Sequence, residues 1–148
     1  MIAGQSRLVV DCSVTLGFFR RAQATAYSDA VLGTAPQAEW WVPPLWRIEF
    51  ANALLSLERR KLSDARWRKQ TLASCARLPF VFDSEESSVE SLCELASLHG
   101  LTAYDAQYLS CAMRHDIPLA TQDAPLTRAA RKLRLYFAWR SPLSRQRR

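Results

Sequence analysis

The sequence predicts an α/β domain, three layers deep, with helices on both faces of a mainly parallel sheet of four to five strands. Short apolar runs at 8–10, 40–42, 80–82, 119–121 and 135–137 alternate with longer helical stretches, the pattern of βαβ units. The first of these runs, Leu8-Val9-Val10, stops at Asp11, as a buried strand does when it delivers an acid to its own end. With 148 residues, 49% hydrophobic and 23% charged, the chain is one ordinary domain long enough to bury its own core.

After the first strand, Ser13 is placed to cap a helix that begins near Val14 and runs with weak caps to about Val31, before Gly33-Thr34-Ala35-Pro36 breaks it. Trp40-Trp41-Val42 reads as the second strand. Pro43-Pro44 closes it, and Pro44 suits the first turn of a helix from Leu45 to about Lys61. Ser63 and Asp64 open another helix to about Arg77, and Phe80-Val81-Phe82 forms a third strand that ends in Asp83. A helix from Ser87 to Leu98 is ended by Gly100, and the next runs from Thr102 to about His115. Leu119-Ala120-Thr121 is a short strand, 125–133 a helix, and Leu135-Tyr136-Phe137 a last strand. The tryptophans Trp40, Trp41, Trp46 and Trp67 cluster around the second strand and the helices after it, and fit core packing first. Trp46 and Trp67, flanked by Arg47, Arg66 and Arg68, also have the composition of an interface anchor.

Composition excludes several classes. No apolar run reaches the length of a membrane span and nothing at the N-terminus resembles a signal-peptide core, so a cytoplasmic protein without membrane contact is expected. The four cysteines, Cys12, Cys75, Cys93 and Cys111, lack paired spacing and read as reduced structural thiols. His99 and His115 lie at different helix ends, so neither a zinc site nor a Ser-His-Asp triad is expected. The formal charge of +6, from 20 Lys and Arg against 14 Asp and Glu, suits a polyanionic partner. The basic residues after Trp139 read as a disordered tail, 140–148.

Four acids sit against the pattern. Asp11 follows the first strand. On the helix from Leu45, Glu49 shares a narrow polar stripe with Asn52, Ser56 and Arg60, between apolar flanks that include Ile48 and Trp46. Asp105 shares the inward stripe of its helix with Leu109, Ala112 and Met113, and Asp123 follows the fourth strand. Each has a bland local reading: Asp11 as a turn former or helix cap, Glu49 in an ion pair, Asp105 in a capping box with Thr102, Asp123 as the cap of the last helix. Brought together, they repel by roughly 4 kcal/mol for each pair about 4 Å apart at an effective dielectric of 20, and need a counter-charge. Carboxylates with few or no histidines select Mg²⁺ or Mn²⁺, and such a site suits phosphodiester hydrolysis.

These residues resemble the PIN-domain ribonucleases, and in size and layout the VapC-type toxins of bacterial toxin–antitoxin pairs. The resemblance spans about 8–137 and rests on four short motifs in order: Val9-Val10-Asp11-Cys12-Ser13, Glu49-Phe50-Ala51-Asn52-Ala53-Leu54, Leu101-Thr102-Ala103-Tyr104-Asp105-Ala106, and Ala120-Thr121-Gln122-Asp123. It implies a PIN-like domain over 1–139 in which Asp11, Glu49, Asp105 and Asp123 hold the divalent metal and carry catalysis, supported by Ser13, Asn52 and Thr121. It further implies RNA cleavage by metal-activated water, a homodimer, and a small antitoxin over the site. The basic clusters would hold the nucleic-acid backbone, with Arg59, Arg60 and Arg128 as RNA contacts. The chain departs from the family at Lys132-Leu133-Arg134, where a glycine often follows the last helix. Two other readings remain open: a catalytically silent PIN-like module that only binds RNA or protein, and a haloacid-dehalogenase-like phosphatase. The phosphatase would match Asp11 and Thr15 but finds Ser13 where its general acid belongs.

Overall fold

The structure, a computed structural model, describes residues 6–139. Strands β1 (Ser6–Val10), β2 (Ala38–Val42), β3 (Phe80–Phe82) and β4 (Leu119–Ala120) form one sheet in the order β3-β2-β1-β4, with every pairing parallel. Among the described residues seven α-helices connect them: α1 (Cys12–Phe19), α2 (Ala26–Leu32), α3 (Leu45–Arg59), α4 (Ala65–Cys75), α5 (Val89–His99), α6 (Ala103–His115) and α7 (Ala124–Lys132). The fold class expected from the alternation of strands and helices is the one observed.

Strand β1 lies inside the sheet, with Val9 opposite Trp41 on one side and Leu119 on the other. Successive side chains point to opposite faces of a strand. Leu8 and Val10 therefore join Val14, Val31 and Trp40 in one core, while Val9 joins Trp46, Phe50, Leu54, Tyr108 and Leu126 in the other. Burial on both faces is why all three residues are apolar. Trp40 and Trp46 are core residues, as their clustering suggested. Trp46 stacks on Phe50, and its indole N–H donates to the buried Thr15 hydroxyl at 3.2 Å.

Several local expectations need correction. The single helix expected from Val14 to Val31 is two helices with a 3-10 turn, Arg21–Gln23, between them. Thr25 starts α2 afresh in a capping box with Ser28, which competes with any continuous helix. Gly17 lets α1 approach α2, since a Cβ there would lie 2.9 Å from Ser28 Oγ and 3.0 Å from the Gln23 carbonyl oxygen. Ser13 does not cap α1. Asp11 occupies the cap position, without a capping hydrogen bond from its side chain. Ile48 and Met113 are 69% and 45% exposed, because the helices bury narrower faces than periodicity alone suggests. Cys93 is exposed as well. The last strand reduces to one parallel bridge, Leu119 to Tyr136. Just before it Arg134 takes a φ of 59°, the left-handed conformation for which the family's glycine would be cheap. The basic tail, 140–148, lies outside the described residues.

No helix among the described residues is long and apolar enough to cross a membrane.

Candidate active site

The sheet order places a topological switch between β1 and β4, because the chain leaves β1 toward β2 on one side and reaches β4 on the other only after β3. Crevices at such points, beyond the carboxyl ends of the strands, are where open α/β sheets bind ligands. Asp11 follows β1 directly, and Thr121, Gln122 and Asp123 follow β4. A backbone bond from Asp11 N to the Ala120 carbonyl, 2.9 Å, ties the two ends together.

Side-chain hydrogen bonds tighten this seam. The hydroxyls of Ser13 and Thr121 both donate to Asp11 Oδ2, at 2.8 and 2.7 Å. Thr121 Oγ1 in turn accepts from the backbone N–H of Asp123 at 3.1 Å, and Ser13 Oγ accepts from that of Gln122 at 3.4 Å. One oxygen of Asp11 is thus committed to two fixed hydroxyls. Asp123 caps α7 through Oδ1, which accepts from Leu126 N at 2.9 Å. The cap expected for this residue is real, and its second oxygen takes no part in it.

Helices α3 and α6 bring the other two acids. Pro43 and Pro44 turn the chain out of β2 into α3, whose first turn is held by Trp46 N donating to the Pro43 carbonyl at 2.9 Å. Glu49 follows within the next turn. Thr102 caps α6 by accepting from Asp105 N at 3.1 Å, so Asp105 stands in the first turn, where a carboxylate also suits the helix dipole.

The four acids are near enough to act on one another's charge, although among the described residues no three of them bring donor atoms within 4.8 Å of one another. Burial pushes the carboxyl of Asp11 upward; its bonds to Thr121 and Ser13 oppose that push, and repulsion from Asp105 and Asp123 adds to it. Burial also raises Glu49, with the nearby Tyr108 hydroxyl acting against it and the charges of Asp11 and Asp105 acting with it. Asp105 is raised by burial and then by Asp123, against hydrogen bonding from Thr102. Two strand ends and two helices therefore concentrate negative charge at the carboxyl end of the sheet. The neighbouring Cys12 thiol is driven up by burial, then by Asp11 and Glu49.

Tyr108 was not legible as part of this site. It is fully buried one turn beyond Asp105, on the face the periodicity assigned to Leu109 and Met113. Neither Glu49 Oε1 nor the Tyr108 hydroxyl makes a hydrogen bond of ordinary geometry, though both are buried. A buried carboxylate oxygen without a donor costs on the order of 1–3 kcal/mol or more, and a cation beside it removes that cost. An all-carboxylate donor set with an unpartnered oxygen fits a hard divalent ion.

Other expected residues lie farther out. Asn52 is exposed on α3, and among the described residues no hydrogen bond joins its side chain to the acids. Arg59 and Arg60 are exposed at the far end of α3, about 15 Å along the helix from Glu49 at 1.5 Å per residue. Arg128 is exposed on α7, about 7.5 Å along its axis from Asp123.

The sequence profile of the PIN domain matches residues 8–132. The chain belongs to the PIN-domain family. PIN domains are generally metal-dependent nucleases. The crystal structure of PAE2754 from Pyrobaculum aerophilum is similar in fold, with a TM-score of 0.60 at 22% identity over 86% of this chain and 87% of that one. No curated protein matches the chain. With the family shown, the haloacid-dehalogenase-like reading is set aside.

Proposed function

We propose that this PIN domain is an endoribonuclease that hydrolyses RNA phosphodiester bonds with Mg²⁺ or Mn²⁺, and that it serves as the toxin of a type II toxin–antitoxin pair. The observation that carries the nuclease reading is Glu49 Oε1, buried without a hydrogen bond of ordinary geometry, beside Asp11 and Asp105, whose negative charges act on the same carboxyl. Asp11, Glu49, Asp105 and Asp123 would hold the ion. The chemistry a divalent ion supplies there is a water acidified enough to attack phosphorus, and positive charge for the leaving oxygen. Ser13 and Thr121 fix Asp11 through Oδ2 and leave Oδ1 for binding, while Asp123 divides its oxygens between the α7 cap and the crevice. The buried Tyr108 hydroxyl lies near Glu49 and acts on its carboxyl. Arg128, exposed about 7.5 Å along α7 from Asp123, would contact a phosphate flanking the cleaved bond, and Arg59 and Arg60 would reach phosphates farther along the strand. The net charge of +6 favours such a polyanion.

The antitoxin reading is supported by an apolar cavity of about 400 Å³ between α3 and α4, lined by Trp46, Arg47, Phe50, Leu72, Phe80 and Phe82. Buried aromatics with an arginine at the rim are what protein partners anchor on. Trp67 lines a second opening with Phe19, Arg20 and Lys61. A homodimer in the cytoplasm completes the proposal.

The deciding experiment incubates purified protein with RNA in Mn²⁺, beside chelator-treated protein and the Asp105→Asn variant. Cleavage by the wild type alone supports the reading. Cleavage that persists in Asp105→Asn, or none in the wild type with Mg²⁺ or Mn²⁺, refutes it; in the second case the silent binding module takes its place. For the toxin role, induced expression is expected to arrest growth with the wild type and not with Asp11→Asn, and growth unaffected by an active nuclease would overturn that role alone.

A further inference from the structure

Opposite the acidic crevice along α6, a second group of ligand-type side chains meets. Asp83, directly after β3, and Cys111 and His115, one turn apart on α6, bring one donor atom each to within 4.8 Å of one another. The sequence contains the elements of this group: a strand that ends in Asp, and a Cys-x-x-x-His spacing that puts both side chains on one helix face. The separation of the two histidines hid it, since the third donor comes from a distant strand.

The surroundings are those of a built site. Cys111 and Asp83 are buried, and the cluster meets water only at His115, whose side chain is 16% exposed. His115 Nε2 lies 3.1 Å from Asp83 Oδ1, yet it is buried without a hydrogen bond of ordinary geometry. The indole of Trp41 packs on the imidazole at 4.5 Å between ring centres and holds its orientation. Asp83 Oδ2 is taken by Arg114 Nη2 at 2.7 Å, and Oδ1 accepts from Glu85 N at 3.1 Å, so the carboxylate is oriented from outside the cluster. Ligating carboxylates are commonly held in this way by a second partner. Zinc bonds of about 2.0–2.3 Å in a tetrahedron separate donor atoms by roughly 3.3–3.7 Å, so no pair in the group has to close by more than about 1.5 Å.

We infer that Asp83, Cys111 and His115 bind a thiophilic divalent cation of the zinc class, at a site separate from the acidic crevice. A thiolate and an imidazole beside one carboxylate select such an ion over Mg²⁺. Binding forms the sulfur–metal bond and releases the Cys111 thiol proton to solvent; the fourth position falls to water at the His115 edge. Arg114 stays on Asp83 Oδ2 and offsets the second negative charge. Cys111 lies six residues beyond Asp105 on the same helix, about 9 Å along its axis, so the ion would brace against β3 the helix that carries Asp105 and Tyr108.

The test uses the full chain, reduced and chelator-treated, titrated with Co²⁺ under nitrogen. One equivalent is expected to produce a thiolate-to-cobalt charge-transfer band that Zn²⁺ displaces. Cys111→Ser and His115→Gln are expected to abolish the band, while Cys12→Ser and Asp11→Asn keep it. His115→Gln retains the thiol, so it reads the site even if Cys111→Ser fails to fold. Absence of the band in the wild type, its survival in Cys111→Ser or His115→Gln, or its loss in Cys12→Ser overturns the inference. Because Asp11→Asn removes the acidic centre and not this one, failure here and failure of the nuclease reading are told apart.

Discussion

Replacing Thr121 by valine changes one hydroxyl to a methyl and almost nothing else, so its consequences can be worked out bond by bond. Thr121 is fully buried; its hydroxyl donates to Asp11 Oδ2 at 2.7 Å and accepts from Asp123 N at 3.1 Å. The first bond is charge-assisted when Asp11 is ionised and is worth about 1.5–3 kcal/mol. Losing the second strips a half-buried N–H of its acceptor, at about 1–3 kcal/mol. The extra apolar group returns about 1 kcal/mol. The net loss is about 1.5–5 kcal/mol. At roughly 2–4 °C per kcal/mol for a chain of this size, the melting temperature falls by roughly 3–20 °C. Urea denaturation at pH 7 of metal-free protein measures the loss, in the wild type and in the Asp11→Asn background. The amide in that background carries no charge, so the substitution is expected to cost at least about 1 kcal/mol less there, a coupling well above the ~0.5 kcal/mol scatter of independent sites. A single variant within about 0.5 kcal/mol of the wild type, or strict additivity in the double variant, would refute the view that this hydroxyl holds Asp11.

Three further outcomes are expected. Mn²⁺ at about a hundred times its dissociation constant stabilises the wild type by about 2.7 kcal/mol, a rise of roughly 5–10 °C in a thermal melt, and Asp11→Asn loses most of that response. Metal-free stability depends on pH in two opposite ways. Asp11, Glu49 and Asp105 sit above the ordinary carboxyl range, so their contribution is fully present below about pH 4 and is lost as pH rises through their raised values. Burial alone would push Asp83 up as well, but Arg114, Glu85 N, His115 and Cys111 together bring it down to about 2; its contribution, about 2–3 kcal/mol, is present above about pH 4 and lost as pH falls through about 2. Denaturation curves at half-unit intervals of pH, with Asp11→Asn flattening only the first of these slopes, check both. Gly17→Ala is expected to destabilise by about 1–3 kcal/mol despite a helix-propensity gain of about 1, because the new methyl meets Ser28 and the Gln23 carbonyl oxygen. A rise in melting temperature would show that α1 and α2 can move apart freely.

The acids of the crevice were legible one at a time because each is marked locally: a carboxylate ending an apolar strand, or a carboxylate on a face that should be apolar. The break near Arg20 was not, since it depends on a capping box formed inside an otherwise helical stretch and on the room Gly17 leaves between two helices. Tyr108 escaped because an aromatic on an inward face is core unless something polar faces its hydroxyl, and only the fold brings Glu49 there.

By itself, then, the sequence determined the strand and helix alternation, the burial of β1, and the four carboxylates that stand against the apolar pattern, all of which follow from period, composition and local caps. The tertiary structure alone decided which donors share a space. Ser13 turns back to Asp11 instead of capping α1, Thr121 bridges Asp11 to Asp123, and Asp83 meets Cys111 and His115 across α6. Such contacts join residues up to 110 positions apart. No local signal encodes them, because the sheet order and helix packing that set those distances are properties of the whole chain.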